Sequence, residues 1–301
     1  MQQHKYNENT FPVNEYLLWN NCNNNCKFCN LRNEYQSTEE DKVLVCELVK
    51  KDIKSQKSPF NVLLVGGEIF TGNTKKVEDS LFDLYTVIAD NDLVDHIYFN
   101  TNLLYNNTSF LYKTLDMFDE KDKIKRIHFT TSDDVEGRFD EMLKKIFYRN
   151  LTNLRETYPE LRIIVNTIIT KKLCELIKRN EYNVKSYCQK YKVEVNNIPF
   201  INTKPESKLC PTKEEFLETL FLLEKQDKGY IKRYCDNFLL NQKFVLKQFN
   251  PTTKKLRCVS CGLSECGHSK NFKKCFVDKD GKQTDICFGC LLKILKESVD
   301  F

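Results

Sequence analysis

The sequence predicts an α/β fold built on a parallel sheet, followed by a small cysteine-rich metal-binding module. Three observations carry that reading. Apolar strand-length stretches alternate with segments of helical spacing through most of the 301 residues. Polar clusters stand immediately after the predicted strands, where ligands gather in parallel α/β folds. Six of the fourteen cysteines crowd into the last fifth of the chain.

The elements follow in order. Residues 14–20 (NEYLLWN) form a short apolar strand leading straight into the run CNNNCKFC. Residues 38–54 carry apolar side chains at Val43, Val45, Leu48 and Ile53, with Ser37 or Thr38 as N-cap and acids in the first turn, so they read as a helix. Residues 61–65 are a buried-type strand ending in Gly66-Gly67-Glu68, and 77–89 a helix. Strands at 96–100 and 126–131 bracket a helix at 110–118. A long helix, 139–157, precedes the β-branched strand 161–170. Helical pieces at 171–178 and 183–191, a sixth strand at 193–200 and a helix at 213–224 complete the run. Each parallel connection needs a crossover, so this order calls for a parallel sheet, either an open doubly wound one or a curved partial barrel. The Cys loop, Gly66-Gly67-Glu68, Asn100-Thr101-Asn102 and Thr131-Ser132-Asp133 then converge at the carboxyl ends of four strands, which argues for one active site.

Composition narrows the class. Charged residues at 30% and aromatics at 12% describe a soluble globular chain rather than a disordered one. The longest apolar runs, NVLLV and RIIVNTII, are strand-length and none approaches a membrane span. MQQHKYNENTF has no apolar h-region, so no secretory signal is expected. Fourteen cysteines without such a signal fit a reducing cytoplasmic setting, with thiolates used as metal ligands. The net charge of +5 is spread among acids and reads as a solvated surface. The abundance of Lys and Asn is consistent with an AT-rich genome.

Cys22, Cys26 and Cys29 stand at x3 then x2 spacing, with Phe28 before the last. Three thiolates can hold three irons of a [4Fe–4S] cube and leave the fourth open, whereas a closed structural site usually takes four protein ligands. The alternative is a zinc knuckle with its fourth ligand elsewhere. The spacing, the aromatic before the last Cys and the Gly66-Gly67-Glu68 element one helix downstream together resemble the radical SAM family over roughly residues 14–203. The resemblance implies a partial (β/α)6 barrel and S-adenosylmethionine chelating the open iron. It implies that Glu68 and its two glycines meet the cofactor's amino group. It further implies that Asn102, Ser132 and Asn166 approach the cofactor from the third, fourth and fifth strands, that Arg138 pairs with its carboxylate, and that Ile198 packs on adenine. Buried strand Asn, surface Arg and core Ile all have structural readings as well. The fourth-strand element reads Ser132-Asp133-Asp134 where serine–apolar–aspartate is commoner, which leaves the roles of Asp133 and Asp134 open. The chemistry implied is reductive cleavage of the cofactor to a 5′-deoxyadenosyl radical, which takes a hydrogen atom from a substrate.

After residue 250 the chain changes character. Cys258, Cys261, Cys266, Cys275, Cys287 and Cys290 include two C-x2-C pairs, each following a predicted β-hairpin that turns at Asn250-Pro251 or Asp280-Gly281. Two such pairs are a metal signal. A zinc ribbon would use Cys258, Cys261, Cys287 and Cys290; an auxiliary iron–sulfur cluster would use four of the six. In outline the tail is similar to SPASM or twitch extensions of peptide-modifying radical SAM enzymes. The expected division is residues 1–225 for the barrel and 226–301 for the metal module. Cys46, Cys174 and Cys188 lie on helical patterns and read as small buried hydrophobes, while His96 and His128 read as structural.

The functional expectation is a radical SAM enzyme acting on a peptide or protein and drawing electrons from a one-electron reductant such as flavodoxin or ferredoxin, with no membrane partner. A nucleotide or nucleic-acid substrate is the second reading. A non-catalytic metal-binding interaction protein is the third.

Overall fold

The computed structural model describes residues 11–27, 29, 36–199, 208–231 and 244–259; of residues 196–199, 244–246 and 257–259 only the backbone is described. Eight strands form one sheet: β1 (Val13–Leu17), β2 (Phe60–Val65), β3 (Val94–Asn100), β4 (Ile127–Ser132), β5 (Arg162–Ile169), β6 (Glu194–Pro199), β7 (Phe244–Asn250) and β8 (Lys255–Val259). Their order is β6-β5-β4-β3-β2-β1-β7-β8. Between them lie helices α1 (Glu39–Ser55), α2 (Lys75–Ala89), α3 (Ser109–Glu120), α4 (Glu141–Thr157), α5 (Lys171–Lys178), α6 (Val184–Tyr191) and α7 (Lys213–Gln226).

The order of β1 to β6 never reverses. Right-handed crossovers that always step the same way put their helices on one face of the sheet, which is the winding of a barrel and not of a doubly wound sheet. The two alternatives left by the sequence are thereby resolved. The helix-facing side holds the core: Val62, Leu64, Phe99 and Phe129 are buried there, with Phe70 making edge contact with Phe99 at 5.4 Å between ring centres. Strand alternation turns Asn100, Thr130, Ser132 and Asn166 to the opposite face.

Caps place the helices. Thr38 starts α1 through a capping box with Asp41. Ser37, the other candidate, exchanges two hydrogen bonds with the Asn21 side chain instead, at 3.0 and 3.2 Å. This closes the Cys-bearing loop at its base. Thr74, Asp140, Thr170, Asn183 and Thr212 cap α2, α4, α5, α6 and α7 by side-chain oxygens that accept backbone N–H groups.

The hairpin at Asn250-Pro251 forms as the sequence predicts: Asn250 Oδ1 accepts from the N–H groups of Thr252 and Thr253, and β7 and β8 pair antiparallel. β7 also pairs parallel with β1, so this hairpin extends the barrel sheet. Two ion pairs fasten it to α1, Lys247 to Asp52 and Lys254 to Asp41. Cys258 lies in β8 with only its backbone described; Cys261, Cys266, Cys275, Cys287 and Cys290 fall outside the described residues, as does Phe28. Among the described residues, no helix is long and apolar enough to cross a membrane.

Candidate functional site

A cleft of about 470 Å³ opens at the carboxyl ends of the strands. Cys22, Cys26, Cys29, Gly66, Gly67, Asn102, Ser132, Arg138 and Asn166 all line it. Residues from four strand ends and from the Cys loop therefore share one concavity, although more than a hundred positions separate the first from the last. Among the described residues, no three His, Cys, Asp or Glu side chains converge as ligands of a single ion do. An iron–sulfur cube presents a separate iron to each thiolate, so its ligands stand further apart than those of one ion.

The Cys loop is held from two sides. On the β2 side, Gly67 N–H donates to Trp19 O at 2.8 Å and Glu68 N–H to Asn21 O at 2.9 Å. The two segments run so close that a Cβ on Gly67 would lie 2.1 Å from Asn21 O. Glycine at 67 is thus demanded by the backbone leading into Cys22, and not only by the approach of a ligand. On the β4 side, Lys27 N–H donates to Gly137 O at 2.8 Å.

Glu68 does not line the cleft. It is 2% exposed and points behind it. Its Oε1 accepts from the Ile69 and Phe70 N–H groups at 2.9 and 3.0 Å, its Oε2 from Asn102 N–H at 2.7 Å, and Thr101 Oγ1 donates at 3.1 Å. Burial pushes its carboxyl pKa up, and these donors oppose the shift. With its oxygens committed to the protein's own groups, Glu68 ties the turn after β2 to the turn after β3. The latter turn carries Asn102, whose Nδ2 donates to Asn23 Oδ1 at 2.7 Å and reaches Cys22 Sγ at 3.6 Å.

The Ser132-Asp133-Asp134 element divides its work. Ser132 faces the cleft. Asp133 accepts hydrogen bonds from Tyr148 and Tyr187 at 2.6 and 2.7 Å, anchoring α4 and α6. Asp134 is fully buried, accepts from Ile168 N–H at 2.6 Å and pairs with Arg138 Nε. Burial pushes the Asp134 carboxyl up, opposed by the Arg138 guanidinium. Arg138 in turn places Nη1 3.4 Å from Cys26 Sγ. Burial also raises the Cys22 and Cys26 thiol pKa values, with Arg138 lowering that of Cys26.

Asn100 lines the cleft, as its strand-end cluster leads one to expect. Sequence reasoning missed the other asparagines, Asn20, Asn23, Asn24 and Asn25, which line it too. Asn24 donates from Nδ2 to Cys26 Sγ at 3.3 Å and from its backbone to Cys22 Sγ at 3.4 Å. The signal was present as three consecutive Asn between two cysteines, but it was absorbed into the Asn-rich composition of the whole chain. Among the described residues, His96 and His128 stand apart from this cleft. His128 is buried between Tyr98 and Arg162, and His96 pairs with Asp95. Cys46 and Cys174 are buried as expected, and Cys188 is half-buried.

Three loop cysteines and strand-end polar groups thus surround one cleft at the end of a mostly parallel sheet whose first six strands step one way. Among solved structures, the chain is similar to native anSMEcpe with bound AdoMet and Cp18Cys peptide, at a TM-score of 0.56 and 14% identity over 84% of this chain and 75% of that one. It is also similar to native anSMEcpe with bound AdoMet and Kp18Cys peptide, at a TM-score of 0.52 and 15% identity over 77% of this chain and 63% of that one. The sequence matches no family model and no curated protein.

Proposed function

We propose that this chain is a radical SAM enzyme that modifies a peptide or protein. One observation carries the reading: Cys22, Cys26 and Cys29 line the same strand-end cleft as Gly66, Gly67, Asn102, Ser132, Arg138 and Asn166. The donor set fits a [4Fe–4S] cluster, because three thiolates share a cleft in which N–H donors already reach two of the sulfurs. The cleft volume is that of an ordinary small-ligand site. When bound, cluster and S-adenosylmethionine supply one-electron cleavage of the cofactor to a 5′-deoxyadenosyl radical, which takes a hydrogen atom from the substrate.

The chain's own residues bind and orient. The Gly66 and Gly67 backbone, with Asn102, Ser132 and Asn166, offers neutral donors and acceptors around the cofactor, and Arg138 supplies positive charge for its carboxylate. Glu68 acts from behind by fixing the Asn102 turn. The peptide class is supported by the fold shared with anSMEcpe, which was solved with peptides bound, and by the cysteine-rich tail. That tail, residues 226–301, holds a second metal centre, an auxiliary iron–sulfur cluster or zinc, among Cys258, Cys261, Cys266, Cys275, Cys287 and Cys290. A flavodoxin- or ferredoxin-type reductant in the cytoplasm supplies the electron.

Anaerobic reconstitution tests the assignment. Iron and zinc are counted in the wild type, in a Cys22/Cys26/Cys29→Ala variant and in a Cys258/Cys287→Ala variant. The first variant should lose about four irons per chain, the content of one cube, and all cofactor cleavage; the second should lose the other metal and keep cleavage. A triple variant that still cleaves the cofactor reductively sinks the proposal.

A further inference from the structure

Two buried carboxylates flank the Cys loop, one behind β2 and one after β4. Each takes a backbone N–H from the next strand's end: Glu68 from Asn102 and Asp134 from Ile168. Each also aims a donor at a different cysteine sulfur. The two donors differ in charge. Cys22 is approached by neutral groups, Asn102 Nδ2 at 3.6 Å and the Asn24 N–H at 3.4 Å. Cys26 is approached by the Arg138 guanidinium at 3.4 Å.

The segment that carries Arg138 is gripped so that this approach is fixed. Asp134 holds Nε, Asn24 Nδ2 donates to Arg138 O at 3.4 Å, and Lys27 N–H donates to Gly137 O. Gly137 sits at φ +84°, a conformation only glycine takes without strain. Arg138 is 17% exposed at its side chain, so solvent screens it little. A guanidinium is also the cation least able to lose its charge.

From this geometry we infer that Arg138 is a positioning residue whose fixed charge on the Cys26 sulfur sets the electron affinity of the group held by the cysteine loop, before any cofactor binds. The inference rests on the proposed iron–sulfur reading. A positive charge beside a thiolate ligand stabilises the added electron, so hydrogen bonds and charge at the sulfurs raise the reduction potential. The Asp134 carboxylate opposes this, but it is the guanidinium that directly meets the sulfur, with Nη1 3.4 Å from Cys26 Sγ. Asp134 then serves to keep Arg138 on the sulfur. A role in holding the cofactor carboxylate alone would leave the cofactor-free potential untouched.

The test is an EPR-monitored redox titration of the reconstituted full chain without S-adenosylmethionine, comparing wild type with Arg138→Gln and Arg138→Lys, and with iron counted in each. At the wild-type midpoint, Arg138→Gln should show a reduced-to-oxidised ratio about tenfold lower, equivalent to about 59 mV for one electron. Arg138→Lys, which keeps the charge, should restore most of it. An unchanged midpoint in Arg138→Gln at full iron content overturns the inference. If Arg138→Gln loses iron, restoration by Arg138→Lys supports a need for charge at Cys26; loss in both variants makes Arg138 a strut for Asp134 and also overturns it. A wild type that binds no iron refutes the functional proposal itself, a different outcome from an unmoved midpoint.

Discussion

Gly67→Ala would put a methyl carbon 2.1 Å from Asn21 O, 2.4 Å from Asn21 C and 2.6 Å from Asn20 O. All three are backbone atoms, so no side-chain rotation relieves the clash. Ordinary non-bonded separations are about 3.5 Å, so one segment must move by more than about 1 Å. The two segments are joined by the Gly67-to-Trp19 and Glu68-to-Asn21 hydrogen bonds. Losing both costs about 2 kcal/mol at roughly 1 kcal/mol each, and overpacking adds about 1–3 kcal/mol. The expected destabilisation is therefore about 3–5 kcal/mol by these rules. Gly66→Ala is the internal control, because its nearest contacts are Trp19 O at 3.0 Å and the Ile69 side chain at 3.2 Å; about 1 kcal/mol or less is expected there. Urea unfolding of the three metal-free proteins reads the stability, and iron uptake reads the loop. Gly67→Ala with a wild-type midpoint and full iron would refute the reasoning that the turn after β2 braces the Cys loop.

Glu68→Gln should cost about 1–3 kcal/mol, because an amide N–H₂ would face N–H donors with no acceptor between them. A variant of wild-type stability that lost only cofactor affinity would return Glu68 to the cofactor itself. Asp52→Ala removes the acceptor shared by Tyr16 and Lys247 and should cost about 1.5–3 kcal/mol, freeing the hairpin from α1 to faster limited proteolysis; unchanged proteolysis would contradict the docking role. His128 has its pKa lowered to about 3 by burial, Arg162 and His96. The unfolded chain binds that proton first, so the contribution of neutral His128 is full above about pH 6.5 and declines as the pH falls toward 3. Between pH 7 and pH 5 wild type should lose about 2 kcal/mol more than His128→Leu; parallel stability curves would show that His128 does not titrate this way.

Local rules made much of the fold legible. Lys171–Lys178 was read with its observed bounds because Thr170 caps it and its apolar spacing is short and clean. Ser37 and Thr38 each have an acid three residues on, Glu40 and Asp41, but Thr38 caps α1 with Asp41 because the Ser37 backbone groups are taken by the Asn21 side chain. The apolar pair Leu18 and Trp19 carries the sequence reading of the first strand on to residue 20, but past Leu17 the chain leaves the ladder, and Trp19 O accepts from Gly67 N–H in the turn after β2. Direction was harder to read than identity. Nothing within Gly66-Gly67-Glu68 says that the carboxylate points away from the cleft; that is fixed by Thr101 and Asn102, 33 and 34 positions later. Likewise the Asn250-Pro251 turn announces a hairpin, but the parallel pairing of β7 with β1 is a long-range choice with no local signature. The division of the Ser132-Asp133-Asp134 element was open for the same reason, since alternation along a strand end does not name the partners on either face.

Reductive cleavage of S-adenosylmethionine by the reconstituted chain tests the central claim most directly. The protein is loaded anaerobically with iron and sulfide, reduced with dithionite and given the cofactor, and 5′-deoxyadenosine is quantified by mass spectrometry. The account predicts 5′-deoxyadenosine from the wild type and none from Cys22→Ala, Cys26→Ala or Cys29→Ala. A wild type carrying a full cluster that forms no 5′-deoxyadenosine, or a loop that takes up zinc in place of iron, would contradict it.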